Sequence, residues 1–188
     1  VDAGFTNDAS LEYLDLLPQL EGLGTGSQVT DAGLKHLKHV RQLRKLNLAR
    51  SEITDAGLEH LKGLTQLQVL SLWKTKVTDA GLVHLQGMTQ LQELYLAESQ
   101  VSDIGLAHIS GMAQLRRVNL SGTQIADIGL EHLKGLAQLH DLYLSETQVS
   151  DAGLEHLQGL SQLHQLTLGH TRVTDAGLEH LRGLSQLC

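Results

Sequence analysis

Histidine is the residue in this sequence that first suggests a chemical function. Imidazole is a common metal ligand and it titrates near neutral pH. Most of the 11 histidines recur at one constant spacing: His36, His60, His84, His108, His132, His156 and His180. Side chains repeated this way belong to neighbouring structural units and lie too far apart to share one tetrahedral metal ion. No column of carboxylates or thiols converges on these histidines. A stacked, partly exposed ladder of imidazoles is therefore favoured, and neither a metal nor another cofactor is predicted.

Three other residue sets were considered for catalysis. Cys188 is the only cysteine and the last residue, and a nucleophile needs a positioned base, which we do not expect beside it. His140 and Asp141 are adjacent in sequence and therefore point to different faces of a strand. Glu98 and Glu146 resemble a glycosidase pair in their separation, but no water-excluding cleft is expected around them. An enzyme is therefore not predicted.

These residues are carried by an internal repeat of 24 residues without insertions. Its first apolar position recurs at Val29, Ile53, Val77, Val101, Ile125, Val149 and Val173. A fixed period in this range is typical of a stacked solenoid. In one unit Leu58, Leu61 and Leu64 have helical spacing, whereas Leu70 and Leu72 alternate as in a strand. Neither element can bury its apolar face alone, so neighbouring units must stack.

The ends of each short helix also have repeated residues. Aspartate opens the helices, where a carboxylate can accept from free N–H groups of the first turn: Asp31, Asp55, Asp79, Asp103, Asp127, Asp151 and Asp175. Glycine follows the helices, where we expect a left-handed cap: Gly63, Gly87, Gly111, Gly135, Gly159 and Gly183.

Residues 67–75, LQVLSLWKT, resemble the LxxLxLxxN segment of the leucine-rich repeat superfamily. Residues 78–82, TDAGL, are similar to bacterial-type repeats of this length and to the F-box-associated, cysteine-containing and ribonuclease-inhibitor-like class. The resemblance covers residues 29–188. It implies an α/β solenoid, or horseshoe, with a parallel β-sheet on the concave face, short helices on the convex face and ligand binding on the sheet.

The sequence departs from that superfamily at the last motif position. Hydroxyl side chains stand where relatives have Asn or Cys: Ser51, Thr75, Ser99, Thr123, Thr147 and Thr171. A hydroxyl can also satisfy buried loop backbone groups.

We predict a single solenoid domain with two parts. Residues 1–28 form an imperfect N-terminal repeat or cap, whose strand is expected to fail at residues 24–26, and residues 29–188 form regular repeats, the last one truncated. Either the chain is a segment of a longer protein, or its uncapped C-terminal end near Leu184 and Leu187 packs against a partner. An unpaired edge and apolar end favour self-association there.

Charge and hydropathy exclude two classes of partner. The net charge of −7 disfavours nucleic acid. The basic segment 35–50 does not change this, because its cations divide between the helix side and the strand side. No apolar run is long enough to span a bilayer, so no membrane partner is predicted.

Columns that vary between units predict where a ligand binds. Strand residues flanking the inward leucines face the concave side, with neighbouring strands about 4.8 Å apart. Glu93, Arg117 and Asp141 are consecutive in one column, which also fits a mutually neutralised ladder. Tyr95 and Tyr143 flank Asn119, and Glu98 and Glu146 flank Gly122. The predicted ligand-binding residues are Trp73, Glu93, Tyr95, Glu98, Arg117, Asn119, Asp141, Tyr143 and Glu146.

Exposed aromatics are typical anchors for protein partners. The sequence therefore predicts a protein- or peptide-binding scaffold, with a recess that takes a basic or aromatic side chain of the partner. The alternatives are an architectural repeat segment of a larger protein, an engineered repeat scaffold without its own ligand, and an ordinary hydrated surface.

Overall fold

Parallel strands stacked in chain order form the frame of the molecule. A computed structural model describes the backbone of residues 2–188 and the side chains from residue 5 onward, so Val1 lies outside the described residues. One eight-stranded sheet runs from the first unit to the last. Its strands are β1 (Asp2–Asn7), β2 (Gly22–Gln28), β3 (Lys45–Asn47), β4 (Val69–Ser71), β5 (Glu93–Tyr95), β6 (Arg117–Asn119), β7 (Asp141–Tyr143) and β8 (Gln165–Thr167).

One helical turn follows most strands, as the switch in apolar spacing predicts. The α-helical turns are α1 (Asp8–Leu11), α2 (Asp31–Leu34), α3 (Asp55–Leu58), α4 (Asp79–Leu82), α5 (Asp103–Leu106), α6 (Asp127–Glu131) and α7 (Asp151–Leu154). Six 3-10 segments continue or replace them: Glu12–Leu16, Lys35–His39, Glu59–Leu61, Val83–Leu85, Glu155–Leu157 and Gly177–Leu181.

The predicted core positions are buried in every central unit. Leu58, Leu61, Leu64, Leu70 and Leu72 are each at most 1% exposed, and they belong to a single apolar cluster that runs through the stack. Neighbouring units thus bury the faces that one unit leaves open. The α/β solenoid with a parallel concave sheet, predicted from the sequence, is confirmed.

The aspartate column has a different role from the predicted one. Thr54 caps its own helix, because its hydroxyl accepts from the Ala56 N–H at 3.3 Å. Asp31 instead reaches the next unit: its carboxylate accepts from the Thr54 N–H at 2.8 Å and from the Thr54 hydroxyl at 2.6 Å. The prediction that aspartate caps its own helix was wrong, since the Thr or Ser before it occupies that position in most units.

The glycine inside each helical turn permits this contact. A Cβ on Gly81 would lie 2.4 Å from Asp55 Oδ1, and one on Gly153 would lie 2.5 Å from Asp127 Oδ1. No Cβ fits at such a distance. The carboxylate therefore packs on bare backbone, and an aspartate–glycine ladder holds successive units together.

The predicted left-handed glycine caps were also wrong. Among the described glycines only Gly122 has positive φ, so none of the column from Gly63 to Gly183 is left-handed. The left-handed residue instead follows the strand, and outside Gly122 it is not glycine: Arg50, Lys74, Glu98, Glu146 and His170, with φ between 53° and 61°. These residues project charged or imidazole side chains at one edge of the sheet.

Buried hydroxyls support that turn, as the sequence predicted. Thr75 is 5% exposed and donates to the Leu72 carbonyl at 2.7 Å. Ser51 does the same to Leu48 at 2.6 Å. A hydroxyl at this motif position therefore satisfies one loop carbonyl in each unit.

The N-terminal unit is more regular than the sequence suggested. The strand expected to fail at residues 24–26 is β2, which pairs with both β1 and β3. A Cβ on Gly26 would lie 2.9 Å from the Thr6 carbonyl oxygen, so glycine allows close backbone approach beside an irregularity in β1. Glycine here preserves the strand and leaves its face without side chains.

Candidate functional site

The two outward positions of each three-residue strand form parallel columns on the concave face. In the first column Glu93 pairs in register with Arg117, and Arg117 with Asp141. In the second column Tyr95 pairs with Asn119, and Asn119 with Tyr143. These neighbours are the ones predicted from the repeat spacing.

An ion-paired network joins β5, β6 and β7. Arg117 donates from Nε and Nη2 to Asp141 Oδ2 at 2.8 and 2.6 Å, and its Nη1 lies 3.4 Å from Glu93 Oε2. The Tyr95 hydroxyl donates to Glu93 Oε2 at 2.5 Å, and it also lies 3.4 Å from Arg117 Nη1. The mutually neutralised ladder considered for this column is therefore present, and it includes a tyrosine.

The network changes the proton affinity of its members. Burial, followed by the hydrogen bond to Glu93, raises the pKa of Tyr95 above its ordinary value. Hydrogen bonds to Tyr95 and Asp141 raise the pKa of Arg117. Both pKa shifts favour the neutral phenol and the charged guanidinium, the forms in which these two side chains hydrogen-bond within the network.

A second cluster lies at the left-handed turns of the first units. The Arg50 guanidinium carbon lies 4.3 Å from the centroid of the Trp73 ring, a cation–π geometry. The Trp73 indole donates from Nε1 to Glu98 Oε1 at 3.1 Å, and Lys74 Nζ lies 3.2 Å from Glu98 Oε2. Those two contacts lower the pKa of Glu98.

The predicted recess between the two tyrosines is only partly formed. Glu98 does lie beside Gly122, with its Cγ 3.4 Å from where a Cβ would stand, but its carboxylate is engaged by Trp73 and Lys74. Asn119 uses its side-chain oxygen to accept from the Ser121 N–H at 3.0 Å. Tyr143 donates to Gln165 Oε1 at 2.9 Å. Most polar groups assigned to a ligand are thus already satisfied by neighbours within the protein.

Sequence reasoning missed an open groove beside this network. It has a volume of about 390 Å³ and a mainly apolar lining that extends from β2 to β5. Its residues are Gly22, Leu23, Gly24, Lys45, Leu46, Asn47, Val69, Ser71 and Tyr95. The groove exists because the outward positions of β2 are both glycine while Tyr95 stands at the other end. The signal was available in Gly22 and Gly24, but the sequence pattern at residues 24–26 predicted a failing strand.

The rim of the groove is positively charged. Lys45 is exposed, and none of the acidic side chains described, those from residue 5 onward, lies within salt-bridge distance of it. Glu21, the acidic residue next to Gly22, lies 3.8 Å from Arg44 instead. The outward positions of β2, β3 and β4 contain no carboxylate.

The residues considered for catalysis are not assembled for it. The low pKa of Glu98 disfavours proton donation near neutral pH. His140 stacks near His164, with centroids 5.2 Å apart. His164 precedes Cys188 in its repeat column, but the Cys188 Sγ lies 3.4 Å from the His164 carbonyl oxygen rather than from an imidazole nitrogen.

The histidine ladder lies on the helix side. His108 Nδ1 accepts from the Gln86 side-chain amide of the preceding unit at 2.8 Å. Between residues 2 and 188, no group of three or more His, Cys, Asp or Glu side chains has an arrangement that would hold a metal ion. None of the helices in that range is long and apolar enough to cross a bilayer.

Comparisons with known proteins agree with this geometry. A family model described as leucine rich repeat matches residues 41–101, 65–125 and 113–173. The chain is similar to the crystal structure of internalin C2 from Listeria monocytogenes, with a TM-score of 0.79 and 27% identity over 99% of this chain and 75% of that chain. No curated protein sequence matches significantly.

A plant protein shares the fold at lower identity. It is the ectodomain of the membrane receptor kinase GASSHO1/SCHENGEN3 from Arabidopsis thaliana, solved in complex with Casparian strip integrity factor 2. The TM-score is 0.63 at 19% identity, and the match covers 97% of this chain and 23% of that chain.

Proposed function

The chain belongs to the leucine-rich repeat family, and we propose that it is a protein- or peptide-binding scaffold that uses its concave strand face. Solenoids of this kind present extended concave binding surfaces, and the family is commonly a protein-binding scaffold. We propose no catalytic activity.

The observation that carries this proposal is the distribution of variation between units. Aspartate, glycine and the core leucines repeat because stacking requires them. The strand face varies, and its varied positions hold the only tryptophan and two of the three tyrosines of the chain, all half-buried. Aromatic side chains held on a surface by hydrogen bonds supply large contact area at low entropic cost, which favours recognition of another protein.

The test is a selection from a random library of short linear peptides displayed on phage, with the intact protein as target. Binding of the enriched peptides is then compared between wild type and a Tyr95→Ala/Tyr143→Ala double variant. We expect at least about a tenfold loss of affinity. The His60→Ala/His84→Ala variant on the helix side is the matched control and should bind as wild type does.

Thermal unfolding separates lost binding from lost structure, because both tyrosines lie outside the apolar core. A double variant that unfolds near the wild-type temperature yet binds every enriched peptide equally well would refute use of this face. An architectural segment predicts that no peptide is enriched at all.

A further inference from the structure

We infer that the groove over β2–β5 recognises an acidic peptide segment, taking one bulky apolar side chain of the partner and pairing Lys45 with a carboxylate next to it. This inference rests on the proposed function and specifies its partner. It also replaces the basic or aromatic partner side chain predicted from the sequence for the tyrosine recess.

The first step is the shape of the face. The second column reads Gly24, Asn47 and Ser71 across β2, β3 and β4, and then rises to Tyr95 on β5. Small residues followed by one large ring leave a depression with a closed end. Its volume of about 390 Å³ lies within the ~300–1,000 Å³ range of ligand pockets.

The second step is the lining. Val69 and the Tyr95 ring contribute apolar surface, and the two glycines of β2 expose backbone without side chains. Leu23 and Leu46 lie beneath this surface, at 3% and 1% exposed. Such a surface gains free energy when a bulky apolar side chain covers it. A charged partner side chain would lose hydration in the same place without a carboxylate to accept it.

The third step is charge. Lys45 lines the groove without an ion pair among the described residues, and Arg50 is engaged by the Trp73 ring rather than by a carboxylate within salt-bridge distance. The other cations of this face are neutralised: Lys74 by Glu98, and Arg117 by Asp141 and Glu93. In a protein of net charge −7, Lys45 is therefore a local cation that attracts anionic segments to the groove.

Tyr95 gives the groove a rigid wall. Its hydroxyl is fixed by Glu93 and Arg117, so the ring edge that closes the groove does not need to be ordered when a ligand binds. Arg117 also lies 3.4 Å from Glu93, and this cation reduces the repulsion between the Glu93 carboxylate and an acidic segment at this end.

The experiment compares peptides selected by wild type with those selected by two groove variants. Ser71→Tyr fills the groove with a residue type that the same column already holds in β5 and β7, so the fold should tolerate it. Thr167→Tyr makes an equivalent addition in β8, outside the groove. Lys45→Glu reverses the free charge, and Lys38→Glu makes the same change in net charge in the 3-10 segment Lys35–His39.

Wild type should enrich peptides with Asp or Glu within two residues of a bulky apolar residue. Ser71→Tyr should weaken them at least about tenfold, and Lys45→Glu at least about fivefold. The two control variants should leave affinity unchanged. Raising the salt concentration should weaken binding to wild type, because exposed charge pairs are screened.

The outcomes separate the two proposals. Two results would overturn this inference but leave binding on the strand face intact. One is that the enriched peptides lack the acidic–apolar pair. The other is that they bind both groove variants as tightly as wild type but lose affinity for Tyr143→Ala. Both the proposed function and this inference would be overturned if no peptide were enriched, or if the enriched peptides lost affinity only for the helix-side variant His60→Ala/His84→Ala.

Discussion

The concave face has two halves that share one backbone but differ in what their side chains do. On β5, β6 and β7 the outward residues bind one another, with Arg117 between Asp141 and Glu93. On β2, β3 and β4 they are small or apolar, and Lys45 has no acidic partner among the described residues. The first half satisfies its own polar groups, whereas the second leaves a groove and a free charge.

The difference teaches that abundant functional side chains do not by themselves identify a binding site. Polar groups already paired within the protein must lose those contacts before they bind a ligand, which costs about what the new contacts return. An apolar depression needs no such exchange. The half with fewer chemically distinctive residues is therefore the better candidate for recognition.

The largest expected effect tests whether the two halves really share one scaffold. Gly81→Ala and Gly153→Ala each place a Cβ within 2.5 Å of an aspartate oxygen of the preceding unit. We expect each to lower the free energy of unfolding by about 1–3 kcal/mol, in similar measure, because the same contact is overpacked in both halves. Urea unfolding measures the change.

Gly87→Ala is the control for those variants, since a Cβ at Gly87 meets nothing within 4 Å. It should be neutral or stabilise by up to about 1 kcal/mol through the unfolded chain. If Gly153→Ala left the free energy of unfolding unchanged while Gly81→Ala lowered it, the two halves would differ in how their units stack as well as in their surface side chains.

A substitution at Arg117 tests the half on β5, β6 and β7, where the outward side chains bind one another. Arg117→Met removes the charge between Glu93 and Asp141, so two carboxylates and the Tyr95 hydroxyl lose a partner. We expect a loss of about 1–2 kcal/mol, moderated because the arginine side chain is 38% exposed. Lys45→Met in the other half should change stability by less than about 0.5 kcal/mol, since no ion pair is broken. Equal effects in urea unfolding would remove the distinction between the halves.

Much of this contrast follows from the sequence, but not its decisive part. The period of two along a strand and the constant repeat length place Tyr95, Asn119 and Tyr143 side by side, so their register was predictable. The direction of each side chain was not predictable. Glu98 lies within reach of both Gly122 and Trp73, and only the structure shows that its carboxylate binds the indole and Lys74.

The groove was missed for a related reason. Gly24 and Gly26 weaken strand propensity, so residues 24–26 predicted an interruption. In the solenoid, β3 pairs with β2 as far as Gly24 and β1 pairs with it as far as Gln28, so the strand continues through residues 24–26. Likewise the aspartate column matched a helix-capping pattern, and its true partner, the threonine of the next unit, is visible only once units are stacked.

The smallest expected effect concerns the proton on Tyr95. Its pKa is raised by burial and by the hydrogen bond to Glu93, so the folded protein favours the neutral phenol more than the unfolded chain does. That stabilisation is complete below the unfolded pKa of about 10 and is lost as pH rises through the folded value. Phenolate absorbance during an alkaline titration should therefore contain a late component that Tyr95→Phe removes and Tyr143→Phe retains.

A substitution at Arg117 gives a second test of this titration. Arg117 lowers the pKa of Tyr95, whereas burial and Glu93 raise it by more. Arg117→Met should move the late component to still higher pH, since the phenolate loses its nearby cation. A component that survived Tyr95→Phe would not belong to this phenol, and one that moved to lower pH in Arg117→Met would mean that Arg117 does not stabilise the phenolate. Either result would contradict the internal pairing assigned to this half of the face.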